Sequence, residues 1–106
     1  MSGYQLIYSS QILNNYRGTY AVDPFVTIMN DDKSKKYLRI TLETELKKYV
    51  ALTLKKVYEI GKVFRNKGES YDHIQEYTVL ELVAPYFSID DLIKLINQLS
   101  VSAVKT

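Results

Sequence analysis

Between Val57 and Tyr86 four side chains are of types that could together hold a small charged ligand: Arg65, His73, Tyr77 and Glu81. An arginine is a rigid, permanently charged fork that can grip a phosphate or carboxylate through two hydrogen bonds. A tyrosine ring offers a face on which a base can stack. A half-buried carboxylate can hold an ammonium group, and a loop histidine can assist with phosphate. Each residue also has an ordinary structural role. Arg65 could pair with Glu59 or Glu81, and Tyr77 could be a cross-strand packing residue. Glu81 could face water, and His73 could be an exposed loop residue. Spacing alone leaves these alternatives open.

The elements that must position these residues are two strands and a polar loop. Val57–Phe64 reads as the first strand, with Gly61 predicting a bulge or a close backbone approach. The polar run Asn66–Ser70 is loop. Gln75–Ala84 is the returning strand. A period of two places Tyr77, Val79, Glu81 and Val83 on one face and Glu76, Thr78, Leu80, Leu82 and Ala84 on the other.

Upstream, Phe25–Met29 and Tyr37–Thr41 read as strands separated by a polar turn. Leu42, Leu46, Tyr49, Val50 and Leu54 then fall on one face of a helix over about 43–54. Thr41 is its expected N-cap. Glu43 and Glu45 suit its first turn, Lys55 and Lys56 its end, and Lys47 and Lys48 a solvated flank. Pro85 ends the last strand. Ser88 and Asp91 form a capping-box pattern ahead of a second helix, expected to reach about Ser100 with a fraying tail beyond. In residues 1–20, Tyr4, Leu6 and Tyr8 suggest a short strand, followed by a turn or irregular end. The order predicts one α+β domain over 1–106: a mainly antiparallel sheet with two helices on one face.

Composition narrows the function classes. A length of 106 residues allows one modest core. A net charge of +2 is too small to argue for nucleic acid by itself. With no cysteine and one histidine, thiolate and His-rich metal sites are excluded. No apolar run approaches a membrane span, and the N-terminus lacks the features of a signal peptide. The expected compartment is the cytoplasm. Ten tyrosines suit half-buried strand positions. Neither GxGxxG nor GxxxxGK[ST] occurs.

From Asp23 to Leu95 the chain resembles, without a gap, the catalytic core of class II aminoacyl-tRNA synthetases, most of all lysyl-tRNA synthetases. Pro24-Phe25-Val26-Thr27 with Asn30 resembles RPFxTxxN. Tyr37-Leu38-Arg39-Ile40 with Glu43, Leu46 and Lys47 resembles YLRIAPELYLK. Val57-Tyr58-Glu59-Ile60-Gly61, Phe64-Arg65-Asn66 and Gly68 resemble VYEIGRxFRNEG, the class II motif 2. His73 and Glu76-Tyr77-Thr78 resemble HNPEFT, and Glu81, Tyr86, Asp91 and Leu92 match the stretch that follows. Residues 21–97 thus form a synthetase-like segment, with 1–20 outside the resemblance.

The resemblance implies roles at matching positions. Arg65 would be catalytic, gripping the α-phosphate of ATP and of the aminoacyl adenylate by electrostatic stabilisation. Tyr77 takes the place of the phenylalanine that stacks on adenine, and His73 that of a histidine assisting ATP binding. Glu43 and Glu81 correspond to the carboxylates that hold the α-amino and ε-amino ends of lysine. Departures accompany these matches. Lys67 replaces the glutamate that accepts a hydrogen bond from the adenine amino group. Lysine has only donors, and a hydrogen bond to a charged group is worth about 1.5–3 kcal/mol, so adenine recognition is expected to weaken. Ile74, Gln75, Val83 and Leu42 also depart from the pattern.

Motifs 1 and 3 and an anticodon-binding domain are not found. Motif 3 supplies the arginine for the γ-phosphate and the Mg²⁺ carboxylates, so no metal ligand is assigned here. The expectation is a truncated, degenerate relative that does not adenylate alone and retains binding of lysine or an aminoacyl adenylate, with ATP the cofactor implied. The alternatives are a minimal or complemented ligase-type enzyme that activates lysine, and a structural module contacting a synthetase or another protein. A strand left unpaired at the sheet edge predicts a homo-oligomer.

Overall fold

The computed structural model describes residues 3–15, 23–67 and 74–105. In chain order its elements are β1 (Gln5–Leu6), β2 (Ile12–Leu13), β3 (Val26–Ile28), β4 (Lys35–Leu38), α1 (Glu43–Thr53), β5 (Val57–Phe64), β6 (Glu76–Val83) and α2 (Ile89–Lys105). They form two three-stranded sheets, ordered β1-β5-β6 and β2-β4-β3. The α+β class agrees with the sequence reading, and three of the four strand pairings among the described residues are antiparallel. The β1–β5 pair is parallel.

Strands β5 and β6 pair along their whole length, from Val57 opposite Val83 to Phe64 opposite Glu76. Alternation turns Val57, Glu59, Gly61 and Val63 to one side, together with Val83, Glu81, Val79 and Tyr77. Helix α1 covers that side. Leu42, Leu46 and Val50 pack there with Val57 and Val63 as the buried core, closed by half-buried Ile7, Tyr49, Tyr77, Val79 and Val83. Each such buried aliphatic side chain is worth about 1.5–3 kcal/mol relative to exposure.

The entry to α1 sits one residue later than expected. Leu42 is the N-cap residue in right-handed geometry and makes no side-chain cap bond. Thr41 supplies the cap from one position back: its Oγ1 accepts the Glu43 N–H at 3.1 Å. The helix stops at Leu54, whose φ of 56° lies in the left-handed region and whose N–H donates to the Val50 carbonyl at 2.8 Å.

Gly61 makes no bulge, since the β5–β6 register is continuous through it. The close approach comes from a side chain. A Cβ at Gly61 would lie 2.5 Å from Nη2 of Arg39. Arg39 and Glu59 are only 3% and 2% exposed. Nη1 of Arg39 donates to Oε2 of Glu59 at 3.1 Å, and Nε donates to the Lys62 carbonyl at 2.7 Å. Ser9 donates to the same carboxylate through its N–H at 3.1 Å and its hydroxyl at 2.6 Å. This satisfied pair ties the 9–10 segment, the end of β4 and the middle of β5 together.

Other boundaries moved as well. The strand expected over Tyr37–Thr41 is β4 at Lys35–Leu38, because the turn before it tightens around Lys33, with a φ of 60°. The irregular end expected after Ser9 contains β2, held by β4. The second helix continues past Ser100 to Lys105, since no glycine or proline interrupts 101–105 and Lys105 suits the C-terminal dipole end. Its capping box forms: the Ser88 N–H donates to Oδ2 of Asp91 at 3.2 Å, and the Asp91 N–H to Oγ of Ser88 at 3.1 Å. Two helices on one sheet face were expected. Only α1 takes that place, for no residue of α2 is buried. Among the described residues no helix is long and apolar enough to cross a membrane.

Candidate functional site

Arg65 follows directly on β5, and its backbone closes the neck of the hairpin by donating to the Gln75 carbonyl at 2.8 Å. That bond fixes where its side chain starts. The half-buried guanidinium lies 5.4 Å from the centroid of the Tyr77 ring, a cation–π distance. Nη2 donates to the Ile40 carbonyl at 3.3 Å. Nε is buried and has no hydrogen-bond partner among the described residues. The fork is therefore anchored at one nitrogen and stacked on a ring. The ion pair weighed for Arg65 with Glu59 does not form, because Arg39 holds that carboxylate.

Tyr77 combines both roles considered for it. It packs against the core cluster and lies opposite Val63, and it also carries the arginine. Glu81 stands on the same face four residues along, about 13 Å away at the usual strand rise. It is half-buried and lies directly across from Glu59. Burial raises its pKa above the ordinary carboxylate value, the nearby charge of Glu43 raises it further, and Lys47 partly offsets them.

Glu43 projects from the first turn of α1 and is paired with Lys47 one turn later. The Lys47 ammonium is held above its ordinary pKa, chiefly by its hydrogen bond to Glu43. The structure thus brings Glu43, Lys47 and Glu81 into one electrostatic group. Lys47 is exposed, as expected for a flank residue, but the sequence reading gave it no part in the site. Arg39 and Glu59 were likewise given no positioning role. A signal for them existed: Glu59 shares its strand parity with Val57 and Val63, so a carboxylate there needed a buried cation.

Lys67 is exposed beyond the hairpin neck. Its N–H donates to the Arg65 carbonyl at 3.0 Å, and its own carbonyl accepts from Nε2 of Gln75 at 3.5 Å. Ile74 is also exposed. His73 lies outside the described residues, as does most of the polar loop. Among the described residues there is no group of three or more His, Cys, Asp or Glu side chains able to hold a metal ion.

The face from Arg65 to Glu81 can do three things chemically. It can neutralise an anion at one end, support a flat ring beside it, and accept an ammonium at the other.

Residues 9–106 match the family model of class II tRNA synthetases (D, K and N). The match begins inside the N-terminal stretch in which no motif is visible. Similar curated proteins include a lysine-tRNA ligase of Fervidobacterium nodosum, 41% identical over 88 residues, covering 83% of this chain and 17% of the ligase. A lysine-tRNA ligase of Listeria monocytogenes is 42% identical over 88 residues, 83% of this chain and 18% of its own length. One from Thermotoga maritima is 40% identical over 94 residues, 89% and 19% respectively. The chain therefore spans less than a fifth of the length of these relatives. With the motif 2 hairpin formed in full register and nearly the whole sequence matched, the chain belongs to the class II tRNA synthetase family of the D, K and N type.

Proposed function

We propose that this chain binds lysine and lysyl-adenylate-like ligands along the Arg65–Glu81 face and does not itself complete amino-acid activation. One observation carries the reading. A ring-stacked arginine with an unpartnered buried Nε and a half-buried carboxylate of raised pKa share one strand face about 13 Å apart. An extended ligand with a phosphate at one end and an ammonium at the other suits that span. The ammonium would restore the charge solvation that burial takes from Glu81 and relieve its repulsion by Glu43. The phosphate would meet the free donors of the Arg65 fork. The lysine-tRNA ligase relatives support lysine as the amino acid.

The resemblance also supports weakened use of ATP. Lys67 offers only donors where a glutamate would accept from adenine, and its positive charge stands beside Arg65 in sequence. ATP bound alone should therefore be held more weakly than a ligand that also reaches Glu81.

Calorimetric titration with lysine, with ATP and with a non-hydrolysable lysyl-adenylate analogue tests the reading. The analogue is expected to bind tightest, and Glu81→Gln to abolish the response to lysine. Absence of binding by all three at millimolar ligand refutes it. Lysine-dependent pyrophosphate exchange by the purified chain would overturn the non-catalytic part.

A further inference from the structure

The carbonyl that anchors Arg65 belongs to the residue next to Arg39. Nη2 of Arg65 donates to the Ile40 carbonyl at 3.3 Å. Ile40 lies in a bend beyond β4, which ends at Leu38, so no ladder bond fixes that carbonyl. Its place depends on how residues 39 and 40 are held. Arg39 is buried and out of reach of a ligand lying on the Arg65–Glu81 face.

The backbone of Arg39 makes two ties. Its N–H donates to the Gln11 carbonyl at 2.9 Å, and its carbonyl accepts the Phe64 N–H at 2.9 Å. Two bonds act as an axle and leave the segment free to turn about the line joining them. The side chain removes that turn. Nε donates to the Lys62 carbonyl at 2.7 Å, and Nη1 donates to Oε2 of Glu59 and to Oγ of Ser9, each at 3.1 Å. Ser9 in turn donates to both oxygens of Glu59. The planar fork is thus pinned against β5, the strand that runs into Arg65. Gly61 leaves room for it, since a Cβ there would lie 2.5 Å from Nη2. A lysine in place of Arg39 would bring a point charge on a flexible stem and could not hold these acceptors in one fixed plane.

We infer that Arg39 is a positioning residue for the anion-gripping end of the site, acting through the Ile40 carbonyl on the Arg65 guanidinium, with Glu59 and Ser9 holding Arg39 in place. The role rests on the proposed ligand face and names what sets its geometry. With Nη2 held by Ile40 and the Tyr77 ring beside the guanidinium, one orientation of the Arg65 fork is selected before a ligand arrives. Less side-chain freedom is then lost on binding. Releasing Ile40 returns that freedom, and the cost falls on ligands that use Arg65. The ammonium end does not depend on Arg39. Glu81 is carried by β6, and Glu43 by α1, which Leu42, Leu46 and Val50 seat in the core.

Arg39→Lys in the full chain keeps a positive charge beside Glu59 and removes the fork. In calorimetry its affinity for the non-hydrolysable lysyl-adenylate analogue should fall about tenfold while its affinity for lysine stays unchanged. Proton–nitrogen NMR of the Arg65 Nε–H, assigned by its absence in Arg65→Ala, gives a second readout that needs no ligand. In the wild type this signal should be shifted by the Tyr77 ring and exchange slowly with water. In Arg39→Lys both features should decline towards those of a free arginine side chain. Ser9→Ala removes only the hydroxyl. It should move the signal the same way by a smaller amount, and it takes over the test if urea titration shows Arg39→Lys to be unfolded. An Arg65 signal unchanged in the folded variants overturns the inference, as does an equal loss of affinity for lysine and for the analogue in folded Arg39→Lys. If the wild type binds neither ligand, the proposed function fails, and the Arg65 signal alone decides for or against the positioning role.

Discussion

Glu81 is the side chain whose protonation reports on the site. Burial, and then the charge of Glu43, hold its pKa above the ordinary carboxylate value. A carboxyl group that binds its proton more tightly in the folded state stabilises the fold below its unfolded pKa. That contribution is lost as pH rises through the raised folded value. Stability should therefore show a falling component across the upper carboxylate range, and Glu81→Gln should remove it in urea titrations run at several pH values. Lysine bound against Glu81 should pull the pKa back down, which a carbon-detected NMR titration reads directly. The Arg39–Glu59 pair behaves differently, being buried and fully bonded. Arg39→Ala leaves Glu59 buried with its principal cation gone, so a loss of about 3–5 kcal/mol is expected by denaturant unfolding. Gly61→Ala drives a methyl into a guanidinium that Ser9, Glu59 and Lys62 hold in place. A cost of about 1–3 kcal/mol follows.

At the scale of elements, the motif 2 hairpin owes its legibility to strong period-two alternation from Val57 to Phe64 and from Glu76 to Val83. The register puts Tyr77 and Glu81 on the face that alternation assigned them. Helix α1 was legible for the same reason, its apolar spacing matching the residues now buried at Leu46 and Val50. The short strand suggested by Tyr4, Leu6 and Tyr8 is β1, only two residues long. β2 escaped, because it is defined by the strand it joins, β4, rather than by any pattern of its own. The pairing of Arg39 with Glu59 is a contact across 20 residues of chain, which local periodicity does not encode. For α2 the cap was legible and the end was not, because a tail without helix breakers reads the same whether frayed or formed. The capping box should be measurable. Ser88→Ala should cost about 1 kcal/mol of stability, with a matching loss of helical ellipticity. Asp91 is held below its ordinary pKa chiefly by the Ser88 backbone N–H, then by the Ser88 hydroxyl. Its contribution is present above the unfolded carboxylate pKa and is lost as pH falls through the lowered folded value.

For the whole molecule, two small sheets and a single helix-covered core leave much apolar surface facing outward, on α2 and on the outer side of the β5–β6 pair at Ile60 and Leu80. The family segment present in this chain contains the Arg65–Glu81 strand face on which the proposed ligand would lie. In the proposed account the ammonium end is kept and the adenine end is weakened by Lys67. Restoring the acceptor with Lys67→Glu should strengthen ATP binding by about tenfold, the equivalent of 1.4 kcal/mol, in the same calorimetric titration. The central claim is that one ligand spans Arg65 and Glu81. Calorimetry of the non-hydrolysable lysyl-adenylate analogue and of free lysine against the wild type, Arg65→Ala and Glu81→Gln tests it most directly. The account predicts that both variants lose the analogue, while only Glu81→Gln loses lysine. Analogue binding that is unchanged in Arg65→Ala and in Glu81→Gln would contradict it.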